Sequence, residues 1–168
     1  MSKTYQDNAV YGAEFFLRDA LDVASEGDGT FEYRGMHLTM PTEYKFGELD
    51  HIQRYVNAVI QDYNLSTGSN HKPVWVVEGR ANLRKKAYYK TGQGEIVLPK
   101  RDKGSWAWRQ VVVLHELAHH LTPYHGHDEV FASCLAHLVE EHIGPEAGLI
   151  YRIMLDKNNI KIKEKQHV

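Results

Sequence analysis

The chain has one cysteine in 168 residues, Cys134, so it can form no intramolecular disulfide and must hold its fold by packing. No stretch approaches the roughly 18 consecutive apolar residues of a membrane-spanning helix. The first residues, MSKTYQDNAVYGAEFF, lack the basic segment followed by an apolar core that marks a secretory leader. Neither charge sign is in excess. The 20 Lys and Arg against 22 Asp and Glu leave a net charge of −2, which gives no overall bias toward nucleic acid or an anionic membrane. Together these absences predict a soluble, cytoplasmic protein with no membrane attachment. Hydrophobic residues make up 42% and charged residues 25% of the chain, values that argue against disorder. The length predicts a single domain over residues 1–168, with the stretch from about 157 onward a polar, frayed tail.

Histidine is the residue in surplus. Seven of the 11 histidines lie between His115 and His142, a concentration that points to metal or proton chemistry. Within it, His115-Glu116-Leu117-Ala118-His119 matches the pattern H-E-x-x-H. Histidines four residues apart stand one above the other on one face of an α-helix, where both can reach a single tetrahedral Zn²⁺. A glutamate between them can then act on a water that the ion polarises. The surrounding run, VVVLHELAHHLTPYHGHDEVF, has helical apolar spacing and places two further histidines, His125 and His127, at ligand-like distance.

The rest of the pattern reads as α+β. Residues from about Asp7 to Ser25 form an amphipathic helix with Val10, Phe15, Leu17, Leu21 and Ala24 on its apolar side. Phe31 to Met40 reads as a strand, and Glu48 to Tyr63 as a second helix with Leu49, Ile52, Tyr55, Val56, Val59 and Ile60 as its stripe. Val74–Glu78, Lys86–Lys90 and Glu95–Pro99 read as strands, the last two joined by the turn Thr91-Gly92-Gln93-Gly94. Ser105 is placed as the N-cap of the central helix, which Pro123 stops from continuing. Val111, Leu114, Ala118 and Leu121 share its core face, with His115, Glu116 and His119 beside it. Asp128 is expected to cap a helix from about Glu129 to His142, and a last helix runs from about Glu146 to Leu155. Cys134, in an apolar helical run, reads as a small buried hydrophobe rather than a ligand or nucleophile.

A catalytic zinc takes three protein ligands and leaves a position for water. His115 and His119 supply two. The third is expected after the chain turns at Pro123. His127 is the first choice, because it immediately precedes a helix that Phe131 can wedge into the core, and Gly126 lets the loop turn sharply. His125 and Glu140 stay open as alternatives. His125 lies six residues after His119, as in H-E-x-x-H-x-x-G-x-x-H, but Thr122 stands where that pattern needs glycine. Glu116 is the expected general base and then general acid of a hydrolysis. Donors to a developing oxyanion can come from His120, Tyr124, Tyr88 or Tyr89. Asp128 can orient a ligand imidazole as well as cap a helix. The strand Glu95–Pro99, if exposed beside the metal, can pair with an extended peptide. Arg80 with Arg84-Lys85-Lys86, and Lys100-Arg101 with Lys103, are basic clusters. They read as solvated faces in preference to a nucleic-acid grip.

The run HELAHHLTPYHGHDEVF resembles the active-site segment of zincin metallopeptidases, closest to the SprT-like and minimal-zincin group, in which a downstream H-G-x-x-F element carries the third ligand. Here His125-Gly126 supplies the His-Gly pair, while His127 supplies the spacing to Phe131. The Ile96-Val97-Leu98-Pro99 strand and the HELAHHL helix also resemble a small actinobacterial and actinophage metallohydrolase family. The zincin resemblance implies a small twisted, mainly antiparallel sheet packed on helices, with the motif on the central helix. It also implies a zinc-dependent hydrolase acting on a peptide or protein substrate. Two alternatives stand beside that reading: a non-catalytic metal-binding module, and a nucleoprotein-associated protease that contacts DNA.

Overall fold

A computed structural model describes residues 1–80 and 86–162. In chain order the elements are α1 (Lys3–Glu26), β1 (Thr30–Tyr33), β2 (Met36–Thr39), α2 (Leu49–Thr67), β3 (Trp75–Glu78), β4 (Tyr88–Lys90), β5 (Glu95–Leu98), α3 (Arg101–Gly104), a 3-10 turn (Ser105–Ala107), α4 (Gln110–Leu121), α5 (Glu129–His142) and α6 (Pro145–Lys157). The fold is α+β with small sheets. No helix among the described residues is long and apolar enough to cross a membrane. Two compact units are present, one from residues 1–43 with the chain from 124 onward, the other from 44–123.

In the first unit α1 packs on α6 and β1, and α5 packs on α6. Ser2 caps α1, its hydroxyl accepting from the Tyr5 amide at 3.3 Å. The buried face of α1 is Ala9, Val10, Ala13, Glu14, Leu17, Ala20, Leu21 and Ala24. Phe15 is 67% exposed, contrary to its expected place in the stripe, because it precedes Leu17 by two residues and so points nearly to the opposite side. The stretch expected as one strand is a hairpin, β1 pairing antiparallel with β2. Its two turn residues, Arg34 at φ 46° and Gly35 at φ 82°, both lie in the left-handed region, as a two-residue type I′ turn requires. Asp128 caps α5 as expected, its Oδ1 accepting from the amides of Val130 at 2.9 Å and Phe131 at 3.1 Å. Gly148 lets α6 approach α5 closely, since a Cβ there would meet the Glu140 Cβ at 2.8 Å. Phe131, Leu135, Leu138, Ile150, Tyr151 and Leu155 are fully buried. Burial is the largest cause, ahead of the Glu14 and Cys134 charges, that pushes the Tyr151 hydroxyl well above its usual pKa. Ile160 is 1% exposed, so the tail expected to fray is packed at least that far. Residues 163–168 lie outside the described chain.

In the second unit the sheet order is β3-β5-β4, with β4 antiparallel and β3 parallel to β5. The mainly antiparallel sheet expected from the resemblance is therefore a mixed one. The strand Glu95–Leu98 is its centre and is buried from Ile96 to Leu98. Both its edges are paired, so it is not the exposed strand that peptide pairing would need. The start of the β3 outer edge is met by a side chain. Gln53 Nε2 donates to the Val74 carbonyl at 2.8 Å, and its Oε1 accepts from the Val76 amide at 2.8 Å.

Ser105 does not cap α4, which begins five residues later at Gln110. The cause is a long-range pairing. The Phe46 amide donates to the Trp108 carbonyl at 2.8 Å and the Gln110 amide to the Tyr44 carbonyl at 3.3 Å, around a bridge between Lys45 and Arg109. That pairing holds Arg109 extended, at φ −142° and ψ 156°. From Gln110 to Ala118 every residue of α4 is buried, not only the expected face. Arg84 and Lys85, in one basic cluster, lie outside the described residues, whereas Lys100, Arg101 and Lys103 are exposed at α3.

Phe131 has no exposed surface and anchors α5. Phe131→Ala should lower the unfolding free energy by about 3–5 kcal/mol, read by urea denaturation. A loss below about 1 kcal/mol would show that the ring is not packed as described.

Candidate metal centre

Helix α4 carries His115, Glu116 and His119 within one turn. The two imidazoles meet edge-on, with ring centroids 5.0 Å apart and planes at 72°. His115 is 3% exposed and Glu116 7%, while His119 is half-buried. Burying two ionisable side chains side by side is costly unless they are paired or coordinate a cation.

Past Leu121 the helix ends. The Thr122 hydroxyl donates back to the Ala118 carbonyl at 2.7 Å, and Pro123 follows. The turn's left-handed residue is Tyr124, at φ 71°, and not Gly126. Gly126 also lies in a turn, without a positive φ. The chain then delivers His127. Among the described residues, one group of three or more potential ligands is close enough to hold a metal ion: His115, His119 and His127, whose ligand atoms all lie within 4.8 Å of one another.

The other two candidates for the third position are placed elsewhere. His125 has its Nδ1 2.8 Å from Asp128 Oδ2 and its side chain is 41% exposed. The Glu140 carboxylate pairs with Arg152 at 2.8 Å. Asp128, expected as a possible partner of a ligand imidazole, serves His125 and the α5 cap instead. The carboxylate that meets His127 is Asp7, with Oδ1 2.8 Å from Nδ1. Sequence reasoning missed it. Asp7 lies 120 residues away in what reads only as the start of an amphipathic helix, and no local spacing marks it. The edges of Tyr11 and Phe131 lie against the His127 ring, each with centroids 4.9 Å away.

The proposed oxyanion donors separate as well. His120 Nε2 lies 2.6 Å from the Lys72 carbonyl, so it carries the proton in that bond and Nδ1 is the acceptor. The Tyr89 hydroxyl, 2.9 Å from Nδ1, then donates to it. Burial raises the Tyr89 pKa and favours that protonated form. Both side chains are thus committed to one another. Tyr88 is half-buried on β4, and Tyr124 is 98% exposed.

Comparison with known proteins gives no matching family model, no matching curated protein and no matching solved structure.

Burial raises the Asp128 carboxyl. Bonds from His125, Phe131 and Val130 and the charge of His125 outweigh it and leave the pKa below its usual value. A carboxylate lowered on folding stabilises the native state fully above its unfolded value of about 3.9, and that contribution disappears as pH falls through the folded value. The stability gap between the native chain and Asp128→Ala should therefore hold near neutrality and narrow below roughly pH 4 in denaturant titrations. A gap that widens toward acid would contradict this assignment. His125→Ala should leave metal affinity unchanged in a chelator competition, and loss of binding would return His125 to the site.

Proposed function

We propose that this chain is a zinc-dependent hydrolase of the zincin type, acting on peptide bonds. The observation that carries the reading is the set of three imidazoles within 4.8 Å, two of them a helical turn apart on α4 with Glu116 between them. Three neutral imidazoles match the donor number and chemistry of a catalytic zinc site, which keeps its fourth position for solvent or substrate. His115, His119 and His127 would hold the ion. Zinc in such a site supplies Lewis acidity, polarising a carbonyl and lowering the pKa of water toward ~7. Glu116 takes the proton from the attacking water and then delivers it to the leaving amine, so one carboxylate serves as base and then acid. The resemblance of HELAHHLTPYHGHDEVF to SprT-like and minimal zincins points to the same chemistry.

The sheet supports an extended substrate. With Gln53 bonded along the β3 edge and β5 internal, β4 has the remaining edge among the described residues, and it packs on α4. Among the described residues β4 pairs only with β5. A peptide pairing with β4 gains backbone hydrogen bonds that position its carbonyl without reading its sequence.

Zinc analysis and hydrolysis of an unstructured protein such as casein test this together. His115→Ala and His119→Ala should each lose stoichiometric zinc. Glu116→Gln should keep the metal and lose turnover by about 10²-fold or more. Zinc retained by both histidine variants, or full turnover by Glu116→Gln, would overturn the reading.

A further inference from the structure

We propose that Asp7, on the N-terminal helix, is a positioning residue that sets the orientation and basicity of His127 as the third metal ligand; this rests on the metal-site reading above. The Asp7 carboxylate accepts from His127 Nδ1 at 2.8 Å. That bond assigns the ring proton to Nδ1 and makes Nε2 the nitrogen that can serve as ligand. An imidazole that donates through one nitrogen to a carboxylate is a stronger donor through the other, and its ring cannot swivel out of line.

The arrangement is more than one hydrogen bond. Asp7 and Tyr11 are four residues apart, so they share one face of α1. Tyr11 lies edge-on to the same imidazole, with centroids 4.9 Å apart, and Phe131 does so from α5. Helix α1 thus presents an acceptor and an aromatic wall to His127, and the first turn of α5 adds a second aromatic edge. The His127 side chain is 10% exposed and the Asp7 side chain 33%, so the bond is sheltered on the imidazole side.

The neighbouring pair shows what such a bond looks like away from a ligand. His125 and Asp128 are also 2.8 Å apart, but their side chains are 41% and 38% exposed and His125 does not belong to the three-histidine group. His127 lacks that solvent freedom. Its loop, with Tyr124 in the left-handed region, is short and not itself a rigid element, so α1 supplies the rigidity that a ligand needs.

The test uses the full chain and zinc alone, with affinity read by competition against a chromophoric chelator. Native protein, Asp7→Ala, Asp7→Asn and His127→Ala are compared, each with its metal-free melting temperature. Asp7→Ala should weaken zinc roughly 10- to 100-fold while the metal-free protein melts within a few degrees of the native chain. Asp7→Asn keeps an acceptor without the charge and should fall between the two. Long-range proton–nitrogen NMR correlations on metal-free protein should find His127 protonated at Nδ1 in the native chain and Asp7→Asn, with that preference lost in Asp7→Ala.

Native-like zinc affinity in Asp7→Ala would overturn the inference, provided His127→Ala loses the metal. A metal-free Asp7→Ala protein that no longer melts cooperatively would also overturn it, by placing Asp7 in the fold rather than the site. If the native chain binds no zinc, or His127→Ala binds it as well as the native chain, the metal-site reading itself fails. That result is distinguishable from failure of Asp7 alone.

Discussion

Everything proposed for this protein depends on two imidazoles held a helical turn apart on a helix that is buried from Gln110 to Ala118. A buried helix of this composition, QVVVLHELAHHL, is mostly valine, leucine and alanine, and its two ionisable groups before His119 stand out against that background. Burial without compensation penalises each by several kcal/mol in the charged form. A buried histidine escapes that penalty in its neutral form, which is also the form that can bind a metal ion.

The third imidazole arrives by a different route. His127 is not on a helix, and its loop contains a strained non-glycine residue. Its orientation comes from side chains on either side, Asp7 and Tyr11 from α1 and Phe131 from α5. The division of labour is physical. Helical periodicity aligns two donors at no extra cost, whereas a loop donor needs a hydrogen bond and aromatic walls to reach comparable order. The adjacent His125 has no aromatic wall described and remains 41% exposed beside its own carboxylate.

Much of this was legible in the chain. The i, i+4 spacing of His115 and His119, the aspartate ahead of an apolar run at Asp128, and the glycine-bearing turn between β4 and β5 are local signals that determine local structure. What escaped was set at long range. The start of α4 moved from Ser105 to Gln110 because residues 44–46 pair with 108–110 and keep Arg109 extended. The turn at Arg34-Gly35 went unread because arginine, unlike asparagine or aspartate, gives no hint of a left-handed position. Internal placement of β5 depends on β3 reaching it in parallel, which no spacing within β5 records. Asp7 is the extreme case, a single acidic residue whose contact with His127 exists only after α1 meets the loop ahead of α5.

The most direct test is a crystal structure of the zinc-loaded protein with anomalous scattering measured at the zinc edge. The account predicts one ion at full occupancy, bound by one ring nitrogen from each of His115, His119 and His127, with a non-protein ligand in the fourth position. An ion coordinated by His125 or Glu140 in place of His127, a fourth protein side chain closing the site, or no anomalous peak at these histidines would contradict it.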